Sequence, residues 1–475
     1  MFEEKNNNGS FERFRSLVPL YGTDYETPIK ATWYNILAGA LLGVIDNRSP
    51  LANPIYIWRS YEDTRIPVFF FMPSASGKDE LIDIIRRSCF EGVKYEEIAA
   101  LFPEQLIGTI VRDERHKTGP KAVPGLMDDD HLVLDEAYEW LTGKDHYSVQ
   151  IRKNIKLGLD TFGKNPITKR LTGLTYNERL WYYARCSLAI FSQPLPIPAD
   201  FLTAGLGRRG LIVYLRISVA RRLESYDQSF KQKPSDEDEL WTSWLNTLHT
   251  MRRASRCLKW KVVDEARIAI NQYPRQLVLE SGLDQSPKIR NFARIMLFPL
   301  RSFLAKMACI RAADRQIEIL DAIDDEVASL GFKTDLEVTL QDVQNAFGDL
   351  KSFWAGTLAF VRDQIEGDLA YDPYDDVDRA IIGTLCNKHT FSVETGAPIK
   401  QLLQIVAKQA SVSEKTVEYH YLKLKRNGVV RRKQIGQHGS SVWLSDPSTC
   451  DYEEDERPAD QDTSSEENTL QDSAT

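Results

Sequence analysis

The sequence predicts an α/β protein whose helices pack on both faces of a sheet. Three short apolar runs, "IPVFFFM" (Ile66–Met72), "HLVLDEA" (His131–Ala137) and "CSLAIFSQP" (Cys186–Pro194), read as buried strands. Helical spacing follows in "DELIDIIRRSCF" and "VQIRKNIKLGLDTF". Strands alternating with helices are the pattern of an open parallel sheet. Each run ends in polar residues, and parallel strands carry such ends to one C-terminal edge, where these sheets bind ligands.

Composition narrows the class. With 475 residues, 42% hydrophobic and 10% aromatic, the chain can bury a substantial core over two or three domains. The longest apolar run, "ATWYNILAGALLGVI" (Ala31–Ile45), contains Asn35 and falls short of the ~20 residues a membrane span needs, so it reads as a buried helix. Cys89, Cys186, Cys257, Cys309, Cys386 and Cys450 form no C-x-x-C pair, and the seven histidines show no metal-ligand spacing. That pattern disfavours zinc and a disulfide framework and points to a reducing, cytoplasmic setting (nucleoid-associated in a prokaryote) without membrane contact. The net charge of −8 is concentrated: from Asp451 onward ten carboxylates face Arg457 alone, a net of −9, so the preceding 450 residues sum to about +1. The acidic stretch, rich in Ser, Asp and Glu, reads as disordered, either a solvating extension or a segment that binds a partner or competes with the chain's own ligands.

The first run leads into "MPSASGKDEL". Measured against G-x-x-x-x-G-K-[ST], Met72 stands at the first glycine and Asp79 at the hydroxyl residue. Ser74, Ala75, Ser76, Gly77, Lys78 and Asp79 nonetheless sit between a strand and a helix, where backbone N–H groups can surround a β-phosphate and Lys78 can reach its oxygens. Met72 is tolerable there if its backbone is ordinary strand. Asp79 replaces a neutral Mg²⁺ ligand with a carboxylate that binds the ion but adds negative charge beside phosphates, leaving hydrolysis retained, slowed or lost. The second run ends in Asp135 and Glu136: nucleotide hydrolysis needs one carboxylate for the Mg²⁺ shell and another to polarise the attacking water.

"ARCSLAIFSQPLP" followed by "FLTAGLGRRGLIVYLRIS" resembles minichromosome-maintenance (MCM) helicases, in which a sensor strand ends in Asn-Pro and is followed by a segment bearing an arginine finger. The resemblance covers about residues 60 to 365. It implies an AAA+ P-loop ATPase core with a helical lid, using ATP and Mg²⁺. Gln193, before Pro194, takes the sensor amide's place, and Arg208, with Arg209 adjacent, takes the finger's. "IRKNIKLGLDTFGKNPITKRLTGL" is similar to the family's helix and pore hairpin, placing Lys169, Arg170 and Lys164 towards DNA. "PLRSFLAKMACIRAADR" resembles its lid helices, with Arg301 as second sensor arginine. The family's large N-terminal domain has no counterpart, so a shorter replication protein of a plasmid, virus or other mobile element is the expectation.

After the linker "GDLAYDPYDD" comes a module that reads as a winged helix: a helix, a turn at Ala410–Ser413, a second helix capped by Ser413, an Asn427-Gly428 turn and two strands. Lys415, Lys423, Lys425, Arg426, Arg431, Arg432 and Lys433 crowd the second helix and wing, as in modules that dock a helix in the major groove. The expected layout is an N-terminal arm (1–27), an AAA+ core (28–220), a helical lid (221–370), the winged helix (371–447) and the acidic tail (448–475). The motif order implies an ATP-driven DNA translocase or helicase, working as a hexameric ring with other replication proteins. Two readings compete with it: an ATP-binding initiator or regulator without motor activity, and a scaffold that binds no nucleotide.

Overall fold

Val68–Phe71 (β1) carries no polar side chain, and all four residues are buried. Successive strand side chains point to opposite faces, so such a strand must be covered on both. The computed structural model sets it in a five-stranded parallel sheet with Tyr95–Ile98 (β2), His131–Leu134 (β3), Ser187–Ser192 (β4) and Leu211–Tyr214 (β5). The order is β5-β1-β4-β3-β2. β3 and β4 are also buried along their whole length, whereas β2 at the rim exposes Glu96 and Glu97. Phe70 of β1 stacks on Phe191 of β4 at 4.4 Å between ring centres. The structure describes residues 9–43, 53–57, 60–90, 92–111, 121–160, 167–170, 179–194, 197, 201–202, 205–217, 219–231, 236–282, 287–323, 333–366, 376–386, 396–410, 413–426, 430–435 and 439–444.

His131 opens β3 and is buried. It is 5% exposed against Gly39, and burial pushes its imidazole down to about 4. The unfolded chain therefore takes up a proton near pH 6.5 while the folded chain does not, and stability is lost as pH falls from 6.5 towards 4, by up to about 3 kcal/mol. The half-buried Asp129, raised to about 6 by desolvation, acts in the opposite sense over part of that window. Chemical denaturation between pH 7 and 4.5 should show a steeper acid loss for the native chain than for His131→Asn; equal slopes would remove His131 as the cause.

The polar N-terminal stretch, expected as an arm (1–27), is built into the fold. Residues Gly9–Leu17 form a helix (α1), because Phe11, Phe14 and Leu17 make a stripe that is buried although the composition around it is polar. Phe14 packs on Trp244 and Phe11 on Trp33, and the carboxylate of Asp314 accepts from the Ser10 N–H. The apolar run does form a buried helix, Glu26–Ala40 (α2). Its one amide, Asn35, donates to the carbonyls of Ile66 (2.8 Å) and Leu188 (3.1 Å), and so ties the helix to the starts of β1 and β4.

The helix Lys78–Arg87 (α3) follows β1, and His146–Leu159 (α4) follows β3. Beyond β5 the chain is mostly helical, including Val219–Lys231 (α5), Pro287–Arg315 (α6) and Leu340–Glu366 (α7). A parallel strand pair, Leu258–Val262 with Thr334–Val338, interrupts it. This region is fastened to the sheet layer. Phe360 of α7 stacks on Phe71 at 4.2 Å. Asp349 of α7 accepts from the Tyr34 hydroxyl (2.7 Å) and pairs with Arg311 of α6 (2.5 Å) and Lys30 of α2 (3.1 Å). Burial and the Asp349 charge push the Tyr34 phenol well up.

Two compact units result, Met1–Tyr371 and Asp372–Thr475, and the sheet and the helical region share the first. The second contains the helices Asp376–Cys386 (α8), Ile399–Gln409 (α9) and Glu414–Arg426 (α10) and the strands Ala397–Pro398 (β6), Val430–Ile435 (β7) and Gly439–Leu444 (β8). The strands are antiparallel in the order β6-β8-β7. Ser413 caps α10 as expected, accepting from the Thr416 N–H at 3.2 Å. Asn427 and Gly428, the strands' expected turn, and the acidic segment lie outside the described residues. Cys89, Cys186, Cys257 and Cys309 are free thiols, whereas Cys386 is disulfide-bonded, a link of which the cysteine spacing gives no sign.

Candidate functional site

The loop after β1 begins without needing a glycine. Met72 stays in register with the sheet, its N–H donating to the Ser192 carbonyl at 3.0 Å, and it is not among the residues of positive φ. The bends come later, at Ala75 (φ 53°) and Gly77 (φ 88°). A left-handed alanine is strained, so the surrounding structure must hold it. The Ser76 hydroxyl, donating to the Pro73 carbonyl at 2.6 Å, is one restraint. At Gly77 a Cβ would fall 2.3 Å from a methyl of Leu20, so the glycine before the lysine answers both to its dihedral and to a close neighbour.

Lys78 starts α3 and reaches across to the end of β3. Its ammonium lies 2.9 Å from Asp135 Oδ1 and 2.8 Å from Glu136 Oε1. Burial alone would lower the ammonium, but the hydrogen bonds to Glu136 and Asp135 outweigh it and hold it above its ordinary value. The turn carrying the carboxylates is fixed by its own backbone. Glu136 is left-handed at φ 48°, its N–H donates to Asp135 Oδ1, and the next N–H, of Ala137, donates to Phe191 of β4. Asp135 is 18% exposed and Glu136 56%, so one carboxylate is set into the edge while the other faces solvent.

Gln193 follows β4, the strand between β1 and β3. Register pairs Ser192 with Phe71 and Ile190 with Leu134, so the exposed Gln193 stands at the same edge, between the loop and the carboxylates. Asp79 is exposed in the first turn of α3, where a helix favours negative charge. Among the described residues no three His, Cys, Asp or Glu gather as a metal cluster.

Arg208 and Arg301 are not brought to this edge. Arg208 precedes β5 at the opposite end of the sheet, where the Leu211 N–H donates to the Pro67 carbonyl. It lines a cavity of about 140 Å³ with Arg65, Asp160, Arg209, Phe303 and Lys306. The adjacent arginines differ: Arg209 is bound to Asp160 by two hydrogen bonds, whereas the buried Arg208 Nε has no hydrogen-bond partner among the described residues. Arg301, on α6, donates to Asn271 at 3.4 Å and lies over the Phe298 ring, and its neighbours Pro299, Ser302 and Phe303 line the same cavity. No family model matches this chain, and no curated protein matches it.

Lys169 and Arg170 lie on the strand Ile167–Arg170, which pairs with Arg179–Tyr182 as an antiparallel hairpin in the expected place; Lys164 is outside the described residues. A second hairpin, Gly108–Val111 with Lys121–Pro124, has no forerunner in the sequence pattern. In the second unit Lys415, Arg431, Arg432 and Lys433 are exposed, as is Lys425, and Lys423 and Arg426 fall on α10.

Two residues at the loop escaped the sequence reading. Arg222 of α5 donates to the Ser74 carbonyl at 2.6 Å, and Leu20 covers Gly77. Neither belongs to a motif, and the first contact spans 148 positions, so only the folded chain reveals them.

Proposed function

We propose that this chain is an AAA+ ATPase of the MCM-like group that uses ATP to move along or open DNA. The observation that carries the reading is the convergence of Lys78 on Asp135 and Glu136, within 2.9 Å, at the C-terminal edge of a parallel sheet. The strand order β5-β1-β4-β3-β2 supports it, with the loop after the first strand, the carboxylates after the third, the amide after the fourth and an arginine before the fifth at the far edge. In this reading the backbone of Ser74–Gly77 and Lys78 bind the phosphates, Glu136 orients the attacking water, and Gln193 senses the γ-phosphate. The hard oxygens of Asp135 and Asp79 suit Mg²⁺, which takes most of its shell from water and phosphate; when bound it neutralises phosphate charge. Arg208 and Arg301 belong to a face away from their own loop, so both serve a neighbouring subunit's nucleotide in a ring, for which the resemblance implies six subunits.

The second unit follows the order helix, strand, helix, helix, strand, strand, which supports a winged helix, and its basic helix and wing suit DNA phosphates. Among the described residues no helix is long and apolar enough to cross a membrane. A second reading, an ATP-binding initiator without motor activity, is favoured by one feature, the carboxylate of Asp79 at the hydroxyl position. Steady ATP turnover by the purified protein, with and without single-stranded and duplex DNA, separates them. Stimulation by DNA is expected; ATP binding without turnover would favour the initiator, and no nucleotide binding would defeat both.

A further inference from the structure

The second unit offers a concentrated basic surface, and its chain leaves beside it. On α10 the buried residues Val417, Tyr421 and Leu424 face the unit's own core, while Lys415, Tyr419 (68% exposed) and Leu422 (45%) make one outward stripe at i, i+4, i+7. Glu414, Glu418 and Lys425 occupy one flank of that stripe. β7 adds exposed cations on both of its sides, Arg431 and Lys433 on one and Arg432 on the other, beside the Tyr421 phenol of α10. Register pairs Val430 with Leu444 and Arg431 with Trp443, so the chain departs from β8 next to these cations.

Beyond β8 the sequence enters the most acidic stretch of the protein. Asp446 comes two residues after Leu444, Asp451, Glu453, Glu454, Asp455 and Glu456 come soon after, and residues 451–475 carry a net charge of −9. An extended chain spans at most about 3.5 Å per residue, so the 25 residues 451–475 are long enough to cover the roughly 20 Å length of α10. A segment on the same chain is presented at an effective concentration on the order of millimolar, and opposite charges at that concentration pair readily at low ionic strength.

We propose that the acidic segment 451–475 docks on the basic face formed by α10 and β7 of its own chain, occupying the surface that nucleic acid phosphates would use. The docking stands on the charges and the exit point of β8; its consequence, that the segment weakens DNA binding, rests on the DNA reading above.

Zero-length carbodiimide coupling of the full chain at low salt tests the docking without DNA. Peptide mapping of the monomer-sized product is expected to join carboxylates of 451–475 to Lys415, Lys425 or Lys433, and the linkages should fade in about 0.5 M salt, where screening is strong. Linkages found only in a product of twice the mass would assign the surface to a second copy's segment and overturn the proposal. Linkages spread equally to first-unit lysines such as Lys259 and Lys351 would overturn it too.

A full-length variant with the ten carboxylates changed to Asn or Gln then tests the consequence. It is expected to bind a short duplex at least about tenfold tighter than the native chain at low salt, with the difference shrinking as salt rises. Equal affinities would overturn the competition. Linkages in place with no DNA binding by either protein would keep the docking and defeat the DNA reading.

Discussion

Glu136→Gln is expected to reduce ATP turnover by about 100-fold or more while leaving ATP binding close to native. The amide keeps the size of the side chain but cannot accept a proton or polarise water as a carboxylate does, and general-base contributions of about 10²–10⁴ are typical. Lys78→Ala should instead remove binding and turnover together. The ammonium is the cation of the loop, and without it Asp135 and Glu136 stand beside each other and the phosphates uncompensated. Fluorescent-nucleotide titration and phosphate release on both variants separate the roles. Unchanged turnover in Glu136→Gln would place the base elsewhere, and undiminished binding in Lys78→Ala would end the phosphate-loop reading.

The other large effect concerns Arg208. If it acts on a neighbour's nucleotide, Arg208→Ala should cost on the order of 10³ in turnover, the lower range for an arginine finger. Mixing tells more than the single variant. Arg208→Ala retains an intact loop and Lys78→Ala retains an intact arginine, so a subunit of the first kind beside one of the second rebuilds a complete site. Random mixing at equal amounts rebuilds about a quarter of the sites in a head-to-tail ring, and turnover should recover to a comparable fraction. No recovery, with assembly intact, would mean that Arg208 works within its own subunit or only supports the cavity it lines with Lys306 and Arg65.

The candidate site's edge was legible in the sequence because its parts are local. Val68–Phe71, His131–Leu134 and Ser187–Ser192 announce buried strands by their apolar interiors, and the candidate site residues sit at their ends. The rim strand Tyr95–Ile98 was not, since it exposes two glutamates. α1 was hidden because three buried apolar side chains are diluted among charged ones. Arg222 and Leu20 were illegible for a different reason: their importance lies in who their neighbours are, across long stretches of chain. The Lys78 pairing itself, across 58 positions, was not anticipated: the sequence brings the loop and the two carboxylates to one sheet edge but assigns Lys78 to phosphate and Asp135 and Glu136 to Mg²⁺ and water.

Asp349 gathers Tyr34, Arg311 and Lys30 around one buried carboxylate, so α2, α6 and α7 share a single anchor. Removing one member of such a group leaves buried charge uncompensated, at a cost of about 3–5 kcal/mol. A cost of that size disfavours opening by a factor of about 10²–10⁴, which leaves the sheet and the helical region without a free hinge at this joint. In the proposed motor, work done at the nucleotide would then leave the first unit as displacement of a whole block, felt by whatever touches its arginine face.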